Sequence, residues 1–210
     1  NNSRLEMCYC YGRMGESVDA DCERIGVVAA TVKELLIHLA SRTTHVMQTS
    51  APLWRRAFLL AGKGWPTELR SGNDLEYYVR LVARLGAFAF IAEEFFLVRR
   101  HNSSRLSADE MTRASLLSAI KTQQSVYETL CGAGFWNDST MAAFAGAVRS
   151  VYANSLQYGA RSDVEDFEDW LIGIGRGNPA FRGLKRLIRL RRLVGGKVLL
   201  SLHRIVSKLR

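Results

Sequence analysis

The stretch Gln48–Thr49–Ser50–Ala51–Pro52–Leu53–Trp54–Arg55–Arg56, continued by Gly72–Asn73–Asp74–Leu75–Glu76–Tyr77–Tyr78–Val79–Arg80, decides how the chain is read. His45 to Ser50 predict a short strand that ends in small polar residues, and Pro52 suits the first turn of a helix capped by Ser50. Gly62–Lys63–Gly64–Trp65–Pro66 then forms a turn that no helix can continue and that presents an aromatic ring. Gly72–Asn73–Asp74 opens a helix over 74–85, with Leu75, Tyr78, Val79, Leu81 and Val82 on its apolar face. This arrangement carries Thr49, Trp65 and Asp74 towards one edge of a sheet, where α/β proteins bind their ligands.

Working outward, Leu5 to Tyr11 read as a strand, and residues 26–41 carry apolar positions at helical spacing, with His38 near the end as a packing or solvent-facing residue. Asp19 and Asp21 fall in a polar loop and read as a surface turn rather than metal ligands. Ala87–Ile91 and Phe95–Val98 predict two short buried strands around Glu93–Glu94, followed by the basic, hydroxyl-rich run Arg99–Arg100–His101–Asn102–Ser103–Ser104. Beyond Ser107 the pattern is helical: 109–130 behind a Ser107-x-x-Glu110 capping box, then 139–158 and 164–174. The acids Asp163, Glu165, Asp166, Glu168 and Asp169 read as a solvated helix face.

The composition bounds the class. Two hundred and ten residues, 48% of them hydrophobic, suffice for one globular domain, or one with a helical addition. Ten of the cations lie in residues 181–210, which hold no acid; removing them from the net +9 leaves the first 180 residues at −1. The basicity therefore belongs to the tail. Its thirteen large aliphatics, broken by Gly195–Gly196, make two amphipathic basic helices that fit an anionic membrane surface, with packing on the protein's own helices next and nucleic acid not expected. Four cysteines (Cys8, Cys10, Cys22, Cys131) have neither disulfide-framework density nor zinc-knuckle spacing, which points to a reducing compartment.

The ordered set QTSAPLWRR, GW, GNDLEYYVRL and LVRRHNSS resembles the acceptor half of family 2 inverting glycosyltransferases with the GT-A fold. The likeness covers about residues 5 to 107. It implies an α/β class: residues 1–107 as a partial GT-A sheet, 108–178 as an all-helical appendage and 179–210 as a basic helical tail. In that family the nucleotide-binding βαβ units and a metal-binding Asp-x-Asp come earlier, so both are expected before residue 1. The resemblance makes Asp74 the catalytic base. It puts Thr49, Ser50, Trp65, Asn73 and Glu76 at the acceptor or sugar site, and Arg99, Arg100 and His101 at the departing diphosphate, with His101 also a ligand of Mg²⁺ or Mn²⁺.

The family pattern carries an acid where this chain has Asn73, which leaves that position uncharged and the base in place. From the residues alone, Trp65 serves equally as a core tryptophan or a sugar platform, and Glu76 either contacts the acceptor or pairs with Arg80. The partners implied are a nucleotide-sugar donor and a saccharide or lipid-linked acceptor, in the cytoplasm or on the inner face of the cell membrane. A non-catalytic membrane- or partner-binding module is the alternative, distinguished by indifference to Asp74→Asn.

Overall fold

The computed structural model describes residues 4–15, 22–42, 47–99 and 111–195. Its sheet is built around β1 (Met7–Gly15), whose Met7 and Tyr9 are buried on the core side. One flank of β1 is shared: β2 (Glu23–Ile25) pairs antiparallel with its second half and β3 (Pro52–Trp54) with its first. The other flank pairs in parallel with β4 (Phe88–Arg99) along its whole length, giving a mixed four-stranded sheet. The class is therefore α/β, as expected.

Several boundaries differ from expectation, each for a physical reason. Pro52 opens a strand rather than a helix; β3 pairs on one side only, and an edge strand tolerates a residue without an N–H. Helix α1 (Val32–Ser41) starts six residues later than the apolar spacing suggests. Thr31 caps it by accepting from Glu34 N, Glu34 Oε2 accepts from Ala30 N, and Gly26 sits at φ 117°, so the chain before Thr31 is not helical. The helix placed at Pro52 is the five-residue α2 (Arg56–Leu60); Arg55 stands at its cap and donates from Nε to Leu5 O.

The two strands expected around Glu93–Glu94 form the single strand β4, with register shifts between Cys10/Tyr11 and Tyr11/Gly12 of the partner strand. These bulges turn Glu94 towards Arg24 at 2.6 Å and Arg13 at 3.1 Å, while Glu93 is exposed. The middle of β4, Ile91 to Phe95, faces solvent rather than being buried as expected, which is why the acids are tolerated there. Gly12 makes room for the bulges: a Cβ there would collide with the Phe96 ring.

Helix α3 (Asn73–Val82) forms where predicted. It is followed by α4 (Arg113–Gly132), α5 (Asp138–Tyr158) and α6 (Arg161–Ile174), then a 3₁₀ turn (Pro179–Phe181) and α7 (Arg182–Val194). The Ser107–Glu110 cap, Asp19, Asp21, Arg100, His101 and the tail from residue 196 lie outside the described residues; α4 is capped by Thr112. The later helices are not stacked apart from the sheet. One cluster of buried side chains runs from Met7 and Tyr9 through α1 and α3 to Phe144, Phe167, Leu184 and Ile188. α5 packs against α1, and α4 against α3.

Of the acids of α6, Asp166 and Asp169 are exposed as expected, but Glu168 and Asp163 are not. Glu168 is 0% exposed: its Oε1 accepts from Tyr152 Oη at 2.6 Å and its Oε2 from Arg192 Nε at 2.9 Å. Arg191 reaches both Glu165 and Glu168, Arg192 also reaches Asp169, and Asp163 pairs with Arg113 on α4. The first tail helix therefore packs on the chain's own α6, with Leu184 and Ile188 in the core and Lys185 Nζ donating to Gly175 O at the end of α6.

Candidate functional site

Helix α3 begins at a residue only glycine holds comfortably. Gly72, its N-cap, has φ 73°, and a Cβ there would lie 2.8 Å from Thr122 Oγ1 of α4. The preceding Ser71 is bolted to α4 on three sides. Its N–H donates to Ser118 Oγ, its hydroxyl donates to Ser115 O, and its carbonyl accepts from Ser118 Oγ and Thr122 Oγ1. The start of α3 is thus fixed in space by buried hydroxyls on a neighbouring helix. Asn73 and Asp74 follow at once: Asn73 Oδ1 accepts from Asp74 N, and Asp74 Oδ1 accepts from Leu75 N. The Asp74 carboxylate is exposed at this end.

One turn on, Tyr78 is buried and hydrogen-bonded to the Thr49 side chain. Burial pushes its phenol up to about 12; the Thr49 bond opposes the rise, and the negative charge of Asp74 adds to it. Thr49, Tyr78 and Asp74 therefore form one group. Thr49 and the exposed Ser50 sit in the turn closed by Ala51 N donating to Gln48 O, immediately before β3.

Trp65 belongs to a second group round the same helix. Arg80 donates from Nε to Glu76 Oε1 and from Nη2 to Glu76 Oε2, while Nη1 reaches Lys63 O at 2.7 Å and Nη2 reaches Gly64 O at 2.9 Å. One guanidinium so pins the Gly-Trp turn to α3. Glu76, 7% exposed, is the anchor and also accepts from Ser125 Oγ. Between turn and helix lies a groove of about 540 Å³ lined by Trp65, Glu68, Glu76, Arg80, Ser125 and Glu128. Trp65 is 40% exposed and rests on Tyr77, ring centroids 4.9 Å apart, with the Arg80 guanidinium 5.4 Å above the Tyr77 ring. Trp65 is therefore at the surface and is not a core tryptophan.

Asp74 does not line the groove. It stands two residues from Glu76, roughly 200° round the helix. The two groups are joined through aromatic rings: Trp65 on Tyr77, Tyr77 on Tyr78 at 6.0 Å, and Tyr78 stacked on Trp54 at 6.3 Å. Arg99 is exposed at the far end of β4, opposite Gly15, and belongs to neither group. Among the described residues no three His, Cys, Asp or Glu side chains come together as a metal site. None of the four cysteines, all of them described residues, is in a disulfide, and burial raises the Cys10 thiol.

Sequence reasoning missed the role of Tyr78, the threefold use of Arg80, and the hydroxyls of α4. The last had a signal: Ser115, Ser118, Thr122 and Ser125 recur at three- and four-residue spacing on one side of a helix whose partner turn carries a serine before a glycine. Comparison with known families, with curated proteins and with solved structures returns no match for this chain.

Proposed function

We propose that the chain is the acceptor-side part of an inverting glycosyltransferase of the family 2 type, which moves a sugar from a nucleotide-sugar donor to a saccharide or lipid-linked acceptor. The observation that carries this is the exposed Asp74 carboxylate, held at the start of α3 by the Gly72–Ser71 attachment to α4 and flanked by the Thr49–Tyr78 hydroxyl pair. A base in such chemistry must be open to the substrate and fixed in direction, and both conditions are met here. The Trp65 ring, backed by Tyr77 and edged by Glu76 and Arg80, supplies the aromatic surface and polar rim that suit a pyranose.

In this reading Asp74 takes the proton from the attacking acceptor hydroxyl. The acceptor oxygen forms its bond to the anomeric carbon from the face opposite the diphosphate, whose C–O bond breaks and whose oxygen keeps the electron pair, so the configuration inverts. The resemblance assigns the departing negative charge to Arg99, Arg100 and His101; Arg99 lies at the far end of β4, apart from the Asp74 group, and Arg100 and His101 lie outside the described residues. A divalent Mg²⁺ or Mn²⁺ would supply further charge neutralisation. Its expected ligand His101 lies outside the described residues.

The test is sugar transfer by the full-length protein with Asp74→Asn. Loss of rate by about 10²–10⁴ with an unchanged melting temperature is expected. Full activity in that variant, or indifference of acceptor KM to Trp65→Ala, would refute the assignment.

A further inference from the structure

Helix α7 divides its cations between two sides. On the inner side Lys185, Arg191 and Arg192 are used up by Gly175 O and by Glu165, Glu168 and Asp169. On the outer side Arg182, Arg186 and Arg189, at helical spacing, are exposed and form no ion pair with any described residue. Leu193, 83% exposed, continues the same row, and Leu190 lies beside it. Arg149 of α5 extends the patch, its guanidinium lying against Gly183. Residues 170–210 contain no Asp or Glu.

We propose that the outer face of α7 is a docking surface for an anionic membrane, with the arginines at the level of the lipid phosphates and Leu190 and Leu193 entering the acyl boundary. A second copy of the chain is disfavoured as occupant because it would bring the same arginines against these. Nucleic acid would meet two exposed leucines among the cations and no aromatic ring on which to stack a base. An anionic bilayer uses both components: charge attraction to the headgroups and burial of the aliphatic side chains. The inner ion pairs hold the helix flat on α6, so this face is offered without unfolding anything. The inference is independent of the glycosyltransferase reading.

The test is cosedimentation of the full chain with vesicles of equimolar phosphatidylcholine and phosphatidylglycerol, with pure phosphatidylcholine as control. Binding is expected to the mixed vesicles only, and to weaken as salt is raised. Replacing Arg182, Arg186 and Arg189 by Gln should lower the affinity by about fivefold per arginine, on the order of a hundredfold together. Leu193→Ser should lower it by roughly tenfold at every salt concentration. All four side chains are exposed, so an unchanged melting curve separates lost docking from lost fold.

Equal binding to neutral vesicles, or none to the mixed ones, would overturn the proposal. So would wild-type affinity in the arginine variant. Tighter binding to a single-stranded RNA homopolymer, together with indifference to Leu193→Ser, would reassign the face to nucleic acid.

Discussion

The attachment of Gly72 to α4 makes Gly72→Ala the most informative single change for the fold around Asp74. An alanine at φ 73° costs about 1–2 kcal/mol from the backbone alone. Its methyl group would also stand 2.8 Å from Thr122 Oγ1 and 2.9 Å from Thr122 Cγ2, closer than real side chains come. Thr122 is 1% exposed and donates to Ser71 O and Ser118 O, so turning it away disrupts a satisfied hydroxyl, a further cost of about 1–1.5 kcal/mol.

The expected total is thus about 2–3.5 kcal/mol, read from urea unfolding followed by circular dichroism with an unchanged m-value. A double-mutant cycle isolates the contact: in a Thr122→Ala background the crowding is relieved, and Gly72→Ala should cost only the backbone part. A cost below about 1 kcal/mol, or an equal cost in both backgrounds, would refute the view that α4 sets where α3 begins.

Two further outcomes follow from the buried polar groups. Glu168→Ala removes the acceptor for Tyr152 and the partner of Arg191 and Arg192 and should destabilise by about 3–5 kcal/mol, a fall in melting temperature on the order of 10 °C; a loss under about 1 kcal/mol would show that the network is solvated. Tyr78 has a folded-state pKa of about 12 against an ordinary 10.0, so the stability it contributes is complete below pH 10 and lost as pH rises towards 12. Tyr78→Phe should flatten that alkaline limb, and an unaltered limb would contradict the burial of the phenol.

How much of this was legible depends on how local the deciding interactions are. The cores of α3, α5 and α6 follow from apolar spacing between Gly, Asn and Pro punctuation, and the structure places them within three residues of that reading. The start of α1 departs from the apolar spacing because the Thr31–Glu34 cap outweighs the apolar positions before it. Strand β4 reads as two because Glu93–Glu94 interrupt an apolar run; the exposure of its middle and the positions of Arg13 and Arg24 beside Glu94 on other strands make those acids acceptable.

At the site, the position of Asp74 at a helix start was readable from Gly72–Asn73–Asp74. Its separation from the Trp65 groove was not. That separation is imposed by Arg80, whose bonds to Lys63 O and Gly64 O depend on where a turn sixteen residues earlier comes to rest. The tail's packing was hidden for a similar reason: its acidic partners read as a surface until a second helix lay on them.

The central position of β1 also has a consequence for how the chain is made. Its antiparallel neighbours arrive early, β2 within a few residues and β3 by Trp54, so one flank is shielded soon after it leaves the ribosome. The other flank waits for β4, because Met7 pairs with Phe88, 81 positions later. At ordinary rates of synthesis that wait is roughly 4 to 16 s. For that interval Met-Cys-Tyr-Cys-Tyr presents an unpaired, apolar strand edge that is open to pairing with another chain.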